Sequence, residues 1–309
     1  MKYQHNIDTE PFKHLYPFAS NYMEVNGFQY HYVDEGSGDP VVMLHGNPTW
    51  SFYYRELIKA FSENHRMIAP DHIGCGLSEK PAPDRYGYTL SNRVADLKTF
   101  IDKLQLRRKI TLVLHDWGGM IGCAWALEHL DNVEKLVVLN TAAFLPPGTK
   151  KIPLRLWILR HLTFLATPAV LGFNLFSRAA VYMAASRSLA QDVKKGLTAP
   201  YNSWKNRIAT LKFVQDIPVF PNDESYAMVK NADQHLDRLK KIPMLILWGE
   251  KDFVFDMDYL AEWRNRFPEA QTHTFAQAGH YVLEDAPEDV IAKIKTFLDV
   301  EMEDGRGDV

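Results

Sequence analysis

The sequence predicts an α/β protein in which a mostly parallel central sheet is covered by helices on both faces. Three observations predict it. Short apolar runs rich in β-branched residues alternate with stretches of helical apolar spacing along most of the chain. The runs at 41–44, 110–114, 133–139 and 244–247 carry almost no polar face, as strands buried on both sides require. At 309 residues and 46% hydrophobic content, the chain can bury one large core.

Taken in order, residues 28–34 (FQYHYVD) alternate like a half-buried strand and end in the turn cluster EGSGDP. The strand at 41–44 runs into His45-Gly46-Asn47-Pro48, and 50–61 has helical spacing with Ser51 placed as its cap. A short strand at 67–69 precedes the turn-forming PDHIGCG, and a helix at 90–104 leads to the strand at 110–114. A helix at 120–129 and a strand at 133–139 follow. The alternation then ceases from 144 to 221, where the chain is helical, aromatic and basic. It resumes with strands at 244–247 and 271–275 and helices at 259–267 and 290–298, and the polar tail EMEDGRGDV is expected to fray. The expected organisation is a core over 1–144 and 222–309, interrupted by an inserted helical cap over 145–221.

A formal charge of −3 and a pI near 6.5 argue against a general nucleic-acid binder. From 146 to 220 eleven Lys and Arg stand against two Asp, a net +9, so the remainder of the chain carries −12. Such asymmetry marks either a partner surface or a solvated face. The uncharged run at 162–177 is 16 residues long and interrupted by Pro168 and Gly172. About 18 are needed for a membrane span, so it reads as lid helices over an apolar pocket, with no transmembrane segment. Cys75 and Cys123 have no disulfide or zinc-like spacing, and the N-terminus has no apolar leader core, so a cytoplasmic location is expected. Neither a metal-binding spacing nor a glycine-rich phosphate loop is present, so no metal and no cofactor are expected.

Chemistry concentrates in KITLVLHDWGGMIG (109–122), where a buried strand stops abruptly at His115-Asp116 and two glycines open a helix. A sharp turn of this kind lifts one side chain above the carboxyl edge of a sheet. With Asp116 at the apex, that side chain is a carboxylate able to attack carbon and leave an ester on the enzyme. An ordinary strand-to-helix turn with an N-capping Asp has the same local sequence, and Asp116 alone leaves both open. Asp252 follows a strand in WGEKDF, and His280 follows another in QAGHYVLED. A carboxylate behind a histidine orients the ring and stabilises its protonated form, the requirement of a general base. Asn47 in HGNP and Trp117 beside the apex offer neutral N–H donors for a departing anion. The bland alternatives are a turn-forming Asn47 and a core Trp117.

HGNPTW, DHIGCGLSEKP, HDWGGMIG, WGEKDF and AGHYVLED together resemble the haloalkane dehalogenase superfamily of the α/β-hydrolase fold over nearly the whole chain. The resemblance implies Asp116 as nucleophile, His280 as base, Asp252 as acid, and Asn47 with Trp117 as the halide-stabilising pair. Within that superfamily, SFYYR (51–55), LNTAAF (139–144) and APYNSWKNRIATLKFVQDIP (199–218) are most similar to the β-lactone decarboxylases of bacterial long-chain olefin biosynthesis. This implies a small hydrophobic substrate, a cis-3-alkyl-4-alkyloxetan-2-one, converted to a cis-olefin and CO2, and assembly with other olefin-pathway enzymes through the basic cap. Haloalkane hydrolysis through an alkyl-enzyme ester is the alternative. Epoxide hydrolysis needs two lid tyrosines, for which Tyr182, Tyr201 and Tyr226 are available with no motif to choose among them. A fluoroacetate-type dehalogenase needs arginines near the nucleophile, which Trp117-Gly118-Gly119 does not supply. A non-catalytic binding module on the same fold would not need the ordered set.

Overall fold

The computed structural model describes residues 7–148 and 150–299. The tail expected to fray therefore lies outside the described residues. Eight strands make one sheet in the order β1-β2-β4-β3-β5-β6-β7-β8. They are β1 (Asn21–Val25), β2 (Phe28–Glu35), β3 (Asp39–Leu44), β4 (His65–Pro70), β5 (Ile110–Asp116), β6 (Val133–Thr141), β7 (Met244–Gly249) and β8 (Gln271–Phe275). From β4 to β8 every pairing is parallel, while β1 with β2 and β2 with β4 are antiparallel. The parallel part follows from apolarity on both faces, since every residue of β5 and β7 is buried. β1 escapes a reading by apolar runs because Val25 is its one buried residue.

Successive side chains of each strand point to opposite faces, and the core divides accordingly. Val42, Leu44, Leu112, Leu114, Leu136, Val138 and Ile246 pack with α2 (Leu90–Leu104), α3 (Trp117–Glu128), α9 (Tyr226–His235) and α10 (Met257–Arg266). Val41, Met43, Val113, Val137, Leu139, Leu245 and Leu247 pack with α1 (Arg55–Phe61), α11 (Val282–Asp285) and α12 (Pro287–Asp299). α2 occupies its expected span because Thr89 and Asn92 form a reciprocal capping box. The expected helix at 50–61 is instead a 3-10 turn, Ser51–Tyr54, followed by α1. Ser51 is not its cap: its N–H donates to Asp71 Oδ1 at 2.7 Å, and its hydroxyl bonds Tyr16 at 2.6 Å.

Between β6 and α9 the described residues form helices and connecting turns. These are α4 (Leu154–His161), α5 (Thr163–Thr167), a π-helical turn Pro168–Gly172, α6 (Leu175–Met183), α7 (Gln191–Thr198) and α8 (Ile208–Gln215). The uncharged run is thus broken near Pro168 and Gly172, and no single helix among the described residues is long and apolar enough to cross a membrane. α3 begins at Trp117, directly after β5, earlier than the expected 120. This immediate turn needs Gly118, where a Cβ would collide with the Leu44 carbonyl oxygen of the neighbouring strand. Gly118→Ala is therefore expected to lower stability by about 1–3 kcal/mol through overpacking, measured by urea denaturation against wild type.

Candidate active site

Asp116 ends β5 and immediately precedes α3, with φ 50° and ψ −124°. A non-glycine residue there is strained, and only surrounding structure holds it. The Thr141 hydroxyl donates to the Asp116 carbonyl oxygen from the adjacent strand β6. The side chain is buried, and its Oδ2 accepts the Asn47 N–H at 2.6 Å. Gly46 allows this approach, since a Cβ there would run into the Asp116 carboxyl group. Burial above all raises the Asp116 pKa; the charge of His280 and the backbone N–H groups of Asn47 and Trp117 pull it back.

His280 Nδ1 lies 2.8 Å from Asp252 Oδ2. Asp252 is itself held: its Oδ1 accepts N–H groups from Val254 at 2.7 Å and Phe255 at 3.1 Å, and its Oδ2 accepts Asn140 Nδ2 at 3.0 Å. Asn140 also takes the Gly249 N–H at 2.8 Å, tying the ends of β6 and β7 together. The sequence reading did not single out Asn140. Its signal was the polar Asn140-Thr141 that ends the apolar strand β6, on the edge where ligands bind in such sheets. Burial alone would lower the His280 pKa, but the carboxylates of Asp252 and then Asp116 outweigh it and raise the pKa. From behind, His115 Nε2 donates to the His280 carbonyl oxygen at 2.9 Å, and burial keeps that ring neutral by holding its pKa well below the ordinary value.

The loop bearing His280 is fastened to both the core and the helical segment. Glu284 makes two hydrogen bonds to buried Arg55, at 2.6 and 2.8 Å, which gives the SFYYR segment a positioning role. The Tyr281 N–H donates to the Ala184 carbonyl at 2.9 Å, and Asp285 accepts the N–H groups of Ser186 and Arg187. In DHIGCGLSEKP, buried Asp71 ties together His31, Ser51 and Leu77.

Asp116, His280, Asn47 and Trp117 all line one cavity of about 420 Å³, within the usual range of roughly 300–1,000 Å³ for small-molecule sites. Asp252 stands behind His280. The rest of the wall is mainly apolar, including Phe144, Leu156, Leu159, Phe176, Val214 and Phe255. Asn47 Nδ2 donates to the Thr210 carbonyl of α8 at 3.0 Å, so one of its two amide hydrogens is occupied and the other remains. Trp117 packs on Phe213 with ring centroids 5.2 Å apart. The tyrosines of the epoxide reading do not meet here: none of Tyr182, Tyr201 and Tyr226 lines the cavity, Tyr182 being exposed and Tyr201 buried, and the cavity tyrosines are Tyr259 and Tyr281. One cation, Arg155, joins the lining from the exposed side of α4. Among the described residues no group of three or more His, Cys, Asp or Glu could hold a metal ion.

A strained acidic residue between a central parallel strand and its helix, with an Asp-backed histidine across the same sheet edge, defines a class: the α/β-hydrolase-fold enzymes. A model of that fold matches residues 39–287, and the chain belongs to this family. Its relatives narrow the comparison. It is 50% identical over 285 residues to the cis-3-alkyl-4-alkyloxetan-2-one decarboxylase of Shewanella oneidensis, covering 92% of this chain and 89% of that one. It is 43% identical over 292 residues to the protein of the same name from Xanthomonas campestris pv. campestris, covering 92% and 97%. Among solved structures, the haloalkane dehalogenase DatA from Agrobacterium tumefaciens C58 superposes with a TM-score of 0.80 at 26% identity, covering 91% of this chain and 96% of that one.

The His280 environment sets a titration. Wild-type His280 should titrate above the ordinary value of about 6.5, and Asp252→Asn should bring its midpoint down because burial then acts with less opposition. NMR of isotopically labelled histidine measures both.

Proposed function

We propose that this protein is a cis-3-alkyl-4-alkyloxetan-2-one decarboxylase, converting a two-tailed β-lactone to a cis-olefin and CO2. The observation that carries the reading is the buried Asp116 carboxyl in an apolar cavity of about 420 Å³. The 50% identity to a decarboxylase of that name supports the choice of substrate. In this reading Asp116 is the nucleophile, and residues 145–221 form a cap that encloses the alkyl tails. Asp116 attacks the ring carbon that bears the ring oxygen and forms an ester there as that C–O bond breaks to free a carboxylate. The new ester bond breaks again when the C=C bond forms. One ring C–O and one ring C–C bond break, the C=C bond forms, CO2 departs, and Asp116 returns as a carboxylate. No proton or electron is gained or lost overall. His280, backed by Asp252, therefore acts by its charge beside the developing carboxylate, while Asn47 and Trp117 donate to the oxyanion.

Haloalkane hydrolysis is the second reading, favoured by the structural likeness to DatA. There Asp116 displaces halide to give an alkyl ester, Asn47 and Trp117 hold the halide, and His280 draws a proton from the water that releases the alcohol. A cytoplasmic location belongs to the main reading, supported by two buried thiols that form no disulfide. Docking of the basic cap on an acidic neighbouring enzyme of an olefin pathway is supported by the charge block of 146–220 together with the uncharged apolar run at 162–177.

Asp116→Asn should abolish turnover of either substrate while leaving thermal unfolding near wild type; substantial activity in the freshly purified variant would remove Asp116 as nucleophile. His280→Ala incubated with a 1-bromoalkane should accumulate the alkyl ester if hydrolysis operates, seen by mass spectrometry as a gain of one alkyl group. A chain-length series decides between the two readings. Each CH2 buried is worth about 0.8 kcal/mol, so kcat/KM on cis-β-lactones should rise up to about fourfold per carbon until the cavity fills. If bromide release from a short bromoalkane exceeds olefin formation from every lactone, the decarboxylase reading fails.

A further inference from the structure

The helical segment exposes several large apolar side chains. α4, LRLWILRH, has no buried residue, and its Leu154 is 71% exposed. Phe164 in α5, Phe173 after the π-helical turn, and Tyr182 in α6 are 72%, 69% and 70% exposed. The segment's separate core amounts to Ala166, Val170, Leu171 and Leu211. α4 and α6 meet where Arg155 Nη1 lies 3.7 Å from Met183 Sδ. Arg155, Leu175 and Met183 are at once exposed and part of the cavity wall, so the cavity opens on this face.

The charge on this face is mainly positive, although Asp192 lies in α7 with Lys194 and Arg160 of α4 pairs with Asp223. Residues 146–191 contain no Asp or Glu. Among the described residues Arg155, Arg178, Lys194 and Lys205 enter no ion pair, and Lys194 lies 4.4 Å from the centre of the Tyr182 ring. Large apolar side chains with interspersed cations and an excess of positive charge match the acyl and anionic headgroup layers of a bilayer. An acidic protein would complement the cations alone. Spanning is a poorer fit than lying in the interface, because α4 and residues 163–172 together reach the required length and apolarity but are bent by 96°.

We propose that this face docks on an anionic lipid bilayer, with α4, α5 and α6 at the interface and the cavity mouth turned toward the acyl layer. Docking does not depend on the proposed reaction; entry of a two-tailed hydrocarbon directly from the acyl layer does rest on that reading.

Flotation of the full chain with vesicles tests it. The protein should float with vesicles of phosphatidylcholine and phosphatidylglycerol in equal parts, float less with phosphatidylcholine alone, and lose binding as salt screens the headgroups. The double variant Phe164→Ser/Phe173→Ser, which alters no cavity residue, should reduce flotation by about tenfold or more through lost apolar burial, with unfolding temperature unchanged. Equal flotation of variant and wild type overturns the proposal, as does no flotation of wild type. A homodimer dissolved by the same substitutions, without flotation, assigns the face to a second copy. Salt-sensitive retention on polyglutamate without flotation assigns it to an acidic protein. Turnover of a short, water-soluble β-lactone without lipid is read separately, so loss of that activity counts against the reaction and not against docking.

Discussion

A carboxyl group held where water is scarce is the constraint from which the rest of the site follows. An unpaired buried carboxylate costs several kcal/mol of desolvation, and here fixed groups offset part of that cost, leaving the Asp116 pKa raised. The Asn47 and Trp117 N–H groups are held by backbone already committed to the ends of β3 and β5. The His280 charge lies across the cavity and is kept there by Asp252. Because the donors are built into the sheet edge, no solvent shell has to form around the Asp116 carboxyl group. The strained backbone at Asp116 serves the same end, since an extended residue would continue the strand and bury the carboxyl in the core.

The helical segment belongs to this arrangement as much as the sheet does. It binds the Asn47 amide through Thr210 and the His280 loop through Ala184, Ser186 and Arg187. The same segment therefore orients site residues and supplies the apolar wall. A change in the seating of α6 or α8 would reach both the cavity and its polar groups. Arg55 and Glu284 secure the opposite side of the His280 loop, a buried pair whose separation would leave an uncompensated charge. Two relatives named as cis-3-alkyl-4-alkyloxetan-2-one decarboxylases and a structural neighbour that is a haloalkane dehalogenase show that one fold frame hosts different named activities.

Much of the fold was legible because strand and helix periodicity is local. β8 and α2 occupy the spans their sequences indicate, and the remaining core strands differ mainly at their ends. The failures have identifiable causes. β1 pairs at the sheet margin with little burial, so its apolar pattern is weak. The 3-10 turn at Ser51–Tyr54 replaces the start of a helix where Ser51 is held by Asp71 and Tyr16, neither of which is near it in sequence. α3 starts three residues early because close contact with β3 fixes the turn at Asp116.

By itself the sequence determined the fold class and which residue types stand, in which order, at or beyond the strand ends: Asn47, Asp116, Asp252 and His280. Only the tertiary structure decided that Asn140 braces Asp252, that Arg55 anchors the His280 loop, and that Asn47 is turned by Thr210. It also decided that the proposed lid tyrosines stand away from a cavity walled by apolar side chains. The division is physical. Periodicity and turn chemistry act over a few residues, whereas these hydrogen bonds join segments from 109 to 229 residues apart, such as Asn140 to Gly249 and Arg55 to Glu284, and exist only once the sheet has brought those segments to one edge.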